Sequence, residues 1–122
     1  MSILFGLRRR LNKLDEINAR LERVQEALGR IEGRLLVDAP QSVLTDSEFR
    51  VFSQWGEDGI IQRLVGEVPG VPPLFVEFGV QDYTEANTRY LLTHDNWAGL
   101  VIDGSPENIA RVTADPLYWR TT

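Results

Sequence analysis

Leu74-Phe75-Val76-Glu77-Phe78-Gly79 is an apolar run that meets a carboxylate near its end and stops on a glycine. Gly99-Leu100-Val101-Ile102-Asp103-Gly104-Ser105 repeats the pattern about one helix later. The first run is too short for a helix and shows no polar alternation, which predicts a parallel-sheet strand covered on both faces. Trp97 to Ile102 reads as the second strand. Between them a helix is expected over about residues 84–92, with Tyr90, Leu91 and Leu92 turned inward and 93–96 as the return loop. After the second strand, Ser105-Pro106-Glu107 opens another helix, with a capping serine, proline at the first helical position and an acid in the first turn. The unit is βαβα and the fold class is α/β. In a right-handed βαβ unit the carboxyl ends of parallel strands open onto one crevice, so Gly79 and Asp103 are expected to approach each other there.

An acid at the second strand end, roughly twenty residues after a glycine turn, is placed to accept hydrogen bonds from ribose hydroxyls. The plainer alternative for Asp103 is an aspartate that ends a strand and turns through Gly104. The first turn narrows the choice of ligand. A pyrophosphate needs the bare amides of a G-x-G-x-x-G turn at a helix amino end, whereas Gly79 is followed by Val80, Gln81, Asp82 and Tyr83. Asp82 adds negative charge where a phosphate would sit. This disfavours NAD, FAD and ATP. A cofactor with ribose and adenine, no phosphate and a cationic amino-acid end fits better, and S-adenosylmethionine is such a molecule.

Phe75-Val76-Glu77-Phe78-Gly79 resembles the first motif of class I S-adenosylmethionine-dependent methyltransferases, and Val101-Ile102-Asp103-Gly104-Ser105 is similar to their second. Ser53-Gln54-Trp55-Gly56-Glu57-Asp58 resembles the segment preceding the first motif in FkbM-type methyltransferases, including relatives in surface-polysaccharide gene clusters. The resemblance spans about residues 50–112 and implies a partial Rossmann-like methyltransferase fold. It implies that Glu77 approaches the methionine ammonium, that Gly79 lets the loop close on the cofactor, that Asp103 holds the ribose and that Ser105 lies near the adenine, with Val80 and Gly104 in the same cofactor-binding set. Gln81 stands where the family often has a second glycine. The implied activity is O-methylation of a sugar or related hydroxyl acceptor, a small molecule or glycan. A complete doubly wound domain needs more than two strands. The expectation is therefore the front part of a longer protein, inactive as an isolated chain.

Upstream, Leu7, Leu14, Leu21, Leu28 and Leu35 fill one position of a heptad and Ile17, Val24 and Ile31 the other, with Arg10 interrupting the second. Residues 1–37 read as an amphipathic, coiled-coil-like helix, and residues 7–35 as the seam of a homo-oligomer. Gly29 and Gly33 each weaken the helix by about 1 kcal/mol relative to alanine, so the end of the coil is weak, and the competing reading is a single amphipathic helix laid against its own domain. Residues 38–48, around Asp38-Ala39-Pro40, read as a linker, and 49–122 as the cofactor-binding domain. A second functional reading follows: an oligomerisation module whose coil acts while the attached fold is catalytically silent.

Ser53 reads as the cap of a helix whose first turn carries Glu57 and Asp58 and whose buried face is Ile60, Ile61, Leu64 and Val65. In the bland reading, Gln54, Glu57 and Asp58 are solvated there and Trp55 is a core anchor. Glu85, Asn87 and Arg89 read as an exposed helix face, or else Asn87 or Arg89 supports the preceding loop. Trp97, Tyr118 and Trp119 read as core or edge aromatics.

Composition excludes several classes. Of 122 residues, 43% are hydrophobic and 25% charged, which suits one modest core. Residues 38–122 carry five basic against thirteen acidic side chains, a poor surface for nucleic acid. There is no cysteine, hence neither a disulfide framework nor a thiolate site, and His94 is the sole histidine, so no multi-histidine metal site is expected. The start, Ile3, Leu4, Phe5 and Leu7 before Arg8, Arg9 and Arg10, has the reverse order of a secretory signal. The expectation is a cytoplasmic protein in which residues 1–13 can make weak contact with an anionic membrane surface at the inner face.

Overall fold

A computed structural model describes residues 1–38 and 43–117. Tyr118 and Trp119, and residues 39–42 of the expected linker, lie outside the described residues. The chain is mixed α/β: a long helix α1 (Ser2–Asp38), a 3-10 turn (Leu44–Ser47), α2 (Glu57–Glu67), β1 (Leu74–Phe78), α3 (Arg89–Thr93), β2 (Ala98–Ile102) and α4 (Pro106–Ala114). β1 and β2 pair in parallel, in a register that sets Leu74 beside Ala98 and Phe78 beside Ile102. No helix among the described residues is long and apolar enough to cross a membrane.

Alternation sorts the strand residues onto two faces. One carries Phe75, Glu77 and Val101, all half-buried, and Val101 packs on Val80, Tyr83, Ala86 and Val112. On this face the Phe75 ring lies where a β-carbon on its register partner Gly99 would stand. The other face carries Leu74, Val76, Phe78, Leu100 and Ile102, which remain exposed. The expected cover on both faces is therefore corrected to one: an unbroken apolar run shows that both faces are apolar, not that both are packed.

A second cluster, Phe49, Val51, Phe52 and Tyr90 with Leu36 against it, joins α1 to the segment before α2 and to α3. Tyr90 meets Phe49 edge-on at 5.6 Å between centroids. Gly29 is the contact point on α1: a β-carbon there would run into Val51, and the Tyr90 hydroxyl would stand only 3.2 Å away. Glycines that weaken an isolated helix thus let this one dock. The intramolecular face holds Gly29, Gly33 and Leu36, while all eight seam residues, Leu7 to Leu35 and Ile17 to Ile31, are exposed.

Within the 38–48 segment, Ser47 is fully buried, and its carbonyl packs so tightly under α2 that a β-carbon on Gly59 would run into it. α2 starts at Glu57 after Gly56, whose φ of 106° lies in the left-handed region. Ser53 lies before the helix, yet its hydroxyl accepts the Asp58 amide at 3.0 Å and thereby satisfies a first-turn donor. Of the four residues expected on the buried face, Leu64 is 41% exposed, and Asp58 and Gly59 are buried instead.

Asp58 departs furthest from a solvated helix start. It is 1% exposed, and its Oδ2 accepts the backbone amides of Val51, Phe52 and Ser53, each at 2.8 Å, and the Ser53 hydroxyl at 2.9 Å. Three consecutive amides converge on one carboxylate oxygen, a concave backbone nest that binds an anion. Trp55 is 76% exposed and anchors nothing in the core. The Asp58 carboxylate itself holds this segment to α2.

Candidate functional site

The carboxyl ends of β1 and β2 meet as the parallel arrangement requires. The Gly79 amide donates to the Ile102 carbonyl at 2.7 Å, extending the ladder, and the Gln81 amide donates to Asp103 Oδ2 at 2.8 Å. Asp103 Oδ1 accepts the Ser105 amide at 2.9 Å and the Asn108 side-chain amide at 3.0 Å. One carboxylate therefore ties together the β1 loop, the β2 end and the first turn of α4. A carboxylate offers about four acceptor directions, so the Oδ2 atom keeps one open. The Asn108 amide foremost, then the Ser105 and Gln81 amides, hold the Asp103 carboxyl below the ordinary aspartate range. Because the folded value is the lower one, the contribution of this tie is complete above the unfolded value of about 3.9 and is lost as pH falls through the folded value.

The loop after Gly79 adopts an unusual path. Gly79, Gln81 and Tyr83 have φ of 68°, 52° and 64°, all left-handed. Such a conformation in a residue with a side chain is sparsely populated and persists only where its surroundings fix it. Here the constraint on Gln81 is Asp103, and on Tyr83 it is burial, its hydroxyl 3.0 Å from Thr88 Oγ1. Asp82 sits between them in a local turn, its Oδ1 accepting the Thr84 hydroxyl at 2.6 Å and amide at 3.1 Å, and the hydroxyl bond foremost lowers its pKa. Asp82 is thus ionised at neutral pH. Burial drives the Tyr83 phenol up to about 12, which leaves it protonated and unsuited to act as a base.

Glu77 turns toward the segment ahead of α3. Its Oε1 accepts the Asn87 amide at 3.0 Å, and its Oε2 accepts the Thr88 amide at 3.0 Å and hydroxyl at 2.6 Å. This explains why α3 spans only Arg89–Thr93 rather than 84–92: residues 84–88 are an irregular arc pinned by Glu77. It also means that the amides opening α3 are already bound to a carboxylate. The helix end that would receive a pyrophosphate is filled from within.

Arg89 follows that arc and supports the loop, the second of the two alternatives read from sequence. It is 4% exposed, donates through Nη1 to the Tyr83 carbonyl at 2.9 Å and pairs with Asp115 at 3.1 Å. Its guanidinium lies 5.0 Å from the Phe52 ring centroid and 5.8 Å from that of Tyr83. One cation therefore bridges the two apolar clusters.

The six residues expected at the site divide by role. Glu77, Gly79, Asp103, Gly104 and Ser105 stand at the strand ends, whereas the Val80 side chain is 2% exposed and belongs to the core, and its carbonyl accepts the Tyr83 amide at 2.8 Å. Ser105 caps α4, accepting the Asn108 amide at 3.3 Å while its hydroxyl donates to Glu107. Nothing lies within 4 Å of where a β-carbon would stand on Gly79 or on Gly104. Gly79 is explained by its positive φ. Gly104 is not, since neither its φ nor a packed neighbour calls for glycine.

A cavity of about 550 Å³ lies apart from these residues, lined by Gly29, Gly33, Phe49, Gly59, Tyr90 and His94 among others. It is the gap between α1 and the domain. His94 stacks on Tyr90 at 4.7 Å and contacts Asp95 through Nδ1 at 2.7 Å, so it borders this gap and not the strand ends. Gln54, Glu57 and Trp55 do not line it either. No protein-family model, curated protein or solved structure matches the chain.

Proposed function

We propose that the crevice at the carboxyl ends of β1 and β2 binds S-adenosylmethionine, and that the chain is the cofactor-binding part of a Rossmann-like methyltransferase acting on a hydroxyl of a sugar or related acceptor. The observation that carries this reading is Gly104. Like Gly6 and Gly66 it is bare where neither backbone nor packing needs glycine, but of these three it alone directly follows a strand-end carboxylate with one acceptor direction left. A ribose hydroxyl donating to Asp103 Oδ2 would lie against that open backbone. The Glu77 Oε1 atom accepts a single bond and retains an acceptor direction for an ammonium. Phosphate-bearing ligands fit less well, because Asp82 is ionised in the loop and Glu77 already fills the amides ahead of α3. S-adenosylmethionine would supply an activated methyl group, and these residues would hold and orient it; positioning of this kind is a large part of rate acceleration in displacement reactions.

Isothermal titration of the 122-residue chain with S-adenosylhomocysteine tests the reading. Binding is expected, and Gly104→Val is expected to weaken it at least tenfold, equivalent to about 1.4 kcal/mol. The melting temperature should not move, because the added atoms enter open space. A folded chain that gives no heat, or that binds ADP in preference, overturns the proposal. The oligomerisation reading has its own support in the exposed seam of α1. Contact of residues 1–13 with an anionic surface rests on Ile3, Leu4 and Phe5, which are among the most exposed apolar residues of the chain.

A further inference from the structure

The seam of α1 carries more information than its mere exposure. From Leu14 to Ile17 is three residues and from Ile17 to Leu21 is four, which fixes Leu14, Leu21, Leu28 and Leu35 at heptad position a and Ile17, Val24 and Ile31 at d. The residues that dock α1 on its own domain then fall at b and f: Gly29 and Leu36 at b, Gly33 at f. These positions lie on the outside of a coiled coil, so the globular part sits behind the helix and leaves a and d clear.

We infer that α1 assembles in parallel and in register with further copies of this chain, and that the assembly has three or four strands, not two. Leucine at a with β-branched residues at d is the arrangement that shifts parallel coils away from dimers toward trimers and tetramers. Leu11 at position e, 52% exposed, widens the apolar stripe in the same direction. Charge selects the orientation. The g positions hold Lys13, Arg20, Ala27 and Arg34, and the e positions Leu11, Asn18, Gln25 and Glu32. In a parallel coil each g faces the e of the next heptad on its neighbour, pairing Lys13 with Asn18 and Arg20 with Gln25 and setting no cation against another. An antiparallel coil that layers Leu14 on Ile31 sets Lys13 against Arg34 in both copies. Arg10, at d, ends the packed core toward the amino terminus. This inference is independent of the cofactor reading.

Sedimentation equilibrium of the whole chain decides the number. A mass three or four times the 13.9 kDa of one chain is expected; a monomer or a dimer overturns the inference. Leu21→Lys places a charge in the middle of the seam and should return the mass to that of one chain, while far-ultraviolet circular dichroism of the domain, docked through b and f, persists. An unchanged mass in that variant also overturns it. Orientation is read by Arg10→Cys, which introduces the sole thiol of the chain. Air oxidation is expected to give covalent pairs on a non-reducing gel, since position 10 meets itself in a parallel assembly. Absence of cross-linking overturns the parallel arrangement.

Discussion

Asp58→Ala is expected to destabilise the domain by about 4 kcal/mol or more, a large part of the 5–15 kcal/mol that holds a typical domain together. The carboxylate is the shared acceptor of the Val51, Phe52 and Ser53 amides, and each buried donor left without a partner costs about 1–3 kcal/mol. Asp58→Asn separates this cause from simple loss of packing. All four bonds converge on Oδ2, whereas Oδ1 is buried without a hydrogen-bond partner among the described residues. An asparagine can therefore keep its oxygen in the nest and turn its NH2 into the Oδ1 place. The loss should be smaller, about 2–3 kcal/mol: the nest keeps its acceptor, but neutral hydrogen bonds are roughly half as strong as charge-assisted ones, and the NH2 is buried without an acceptor of its own. Urea unfolding followed by tryptophan fluorescence measures both. Equal losses in the two variants would show that the charge, not the acceptor geometry, holds the nest.

Arg89→Met is expected to cost about 3 kcal/mol. Breaking a buried ion pair by removing one partner typically costs about 3–5 kcal/mol, and the lower end applies because the Asp115 side chain remains 21% exposed and can reach water. Methionine would fill much of the space between Phe52 and Tyr83 but would leave the Tyr83 carbonyl without its donor. Arg89→Lys is expected to rescue little, since an ammonium has no planar face to lie over two rings while bonding a carbonyl and a carboxylate. Thermal unfolding of the two variants is the check, and a lysine variant as stable as the parent would refute the account based on the planar group. Tyr83 sits at the end of the strained loop, so under the proposed function the methionine variant should also weaken S-adenosylhomocysteine binding.

The strands, their parallel pairing and the approach of Gly79 to Asp103 were legible in the sequence, because each rests on a local pattern: an apolar run, a glycine, an acid at a fixed offset. The start of α4 was legible for the same reason, since Ser105, Pro106 and Glu107 act on their own turn. Asp58 was not. Its partners are backbone amides, which every residue carries, so nothing in Val51, Phe52 or Ser53 announces the nest. Arg89 looked like surface because its cover comes from Phe52 and Asp115, distant in sequence in both directions. The glycines of α1 misled in an instructive way. Gly29 and Gly33 read as weak points of a coil, and in the fold Gly29 is where the helix can approach Val51 and Tyr90 closely enough to dock.

The expected length of α3 failed on competition. Residues 84–88 hold the good helix formers Glu85 and Ala86 beside the weak ones Thr84, Asn87 and Thr88, and Glu77 takes the Asn87 and Thr88 amides first. The candidate site was therefore legible in its residue types and not in its connections. Glu77 and Asp103 both spend most of their acceptor capacity on the protein itself, Glu77 on the arc ahead of α3 and Asp103 on the Gln81 loop and α4. They are fixed before any ligand arrives, which is the condition under which a remaining acceptor direction can discriminate.

The Phe75 ring lying over Gly99 has a consequence for how this chain can vary among its relatives. A side chain at position 99 would occupy space already taken by the ring on the neighbouring strand. The two positions therefore cannot drift independently. Wherever a larger residue appears at 99, a smaller one should stand at 75, and the pair would register as covariation across the β1–β2 ladder, while Gly104, which has no such neighbour in the fold, would be free of that constraint.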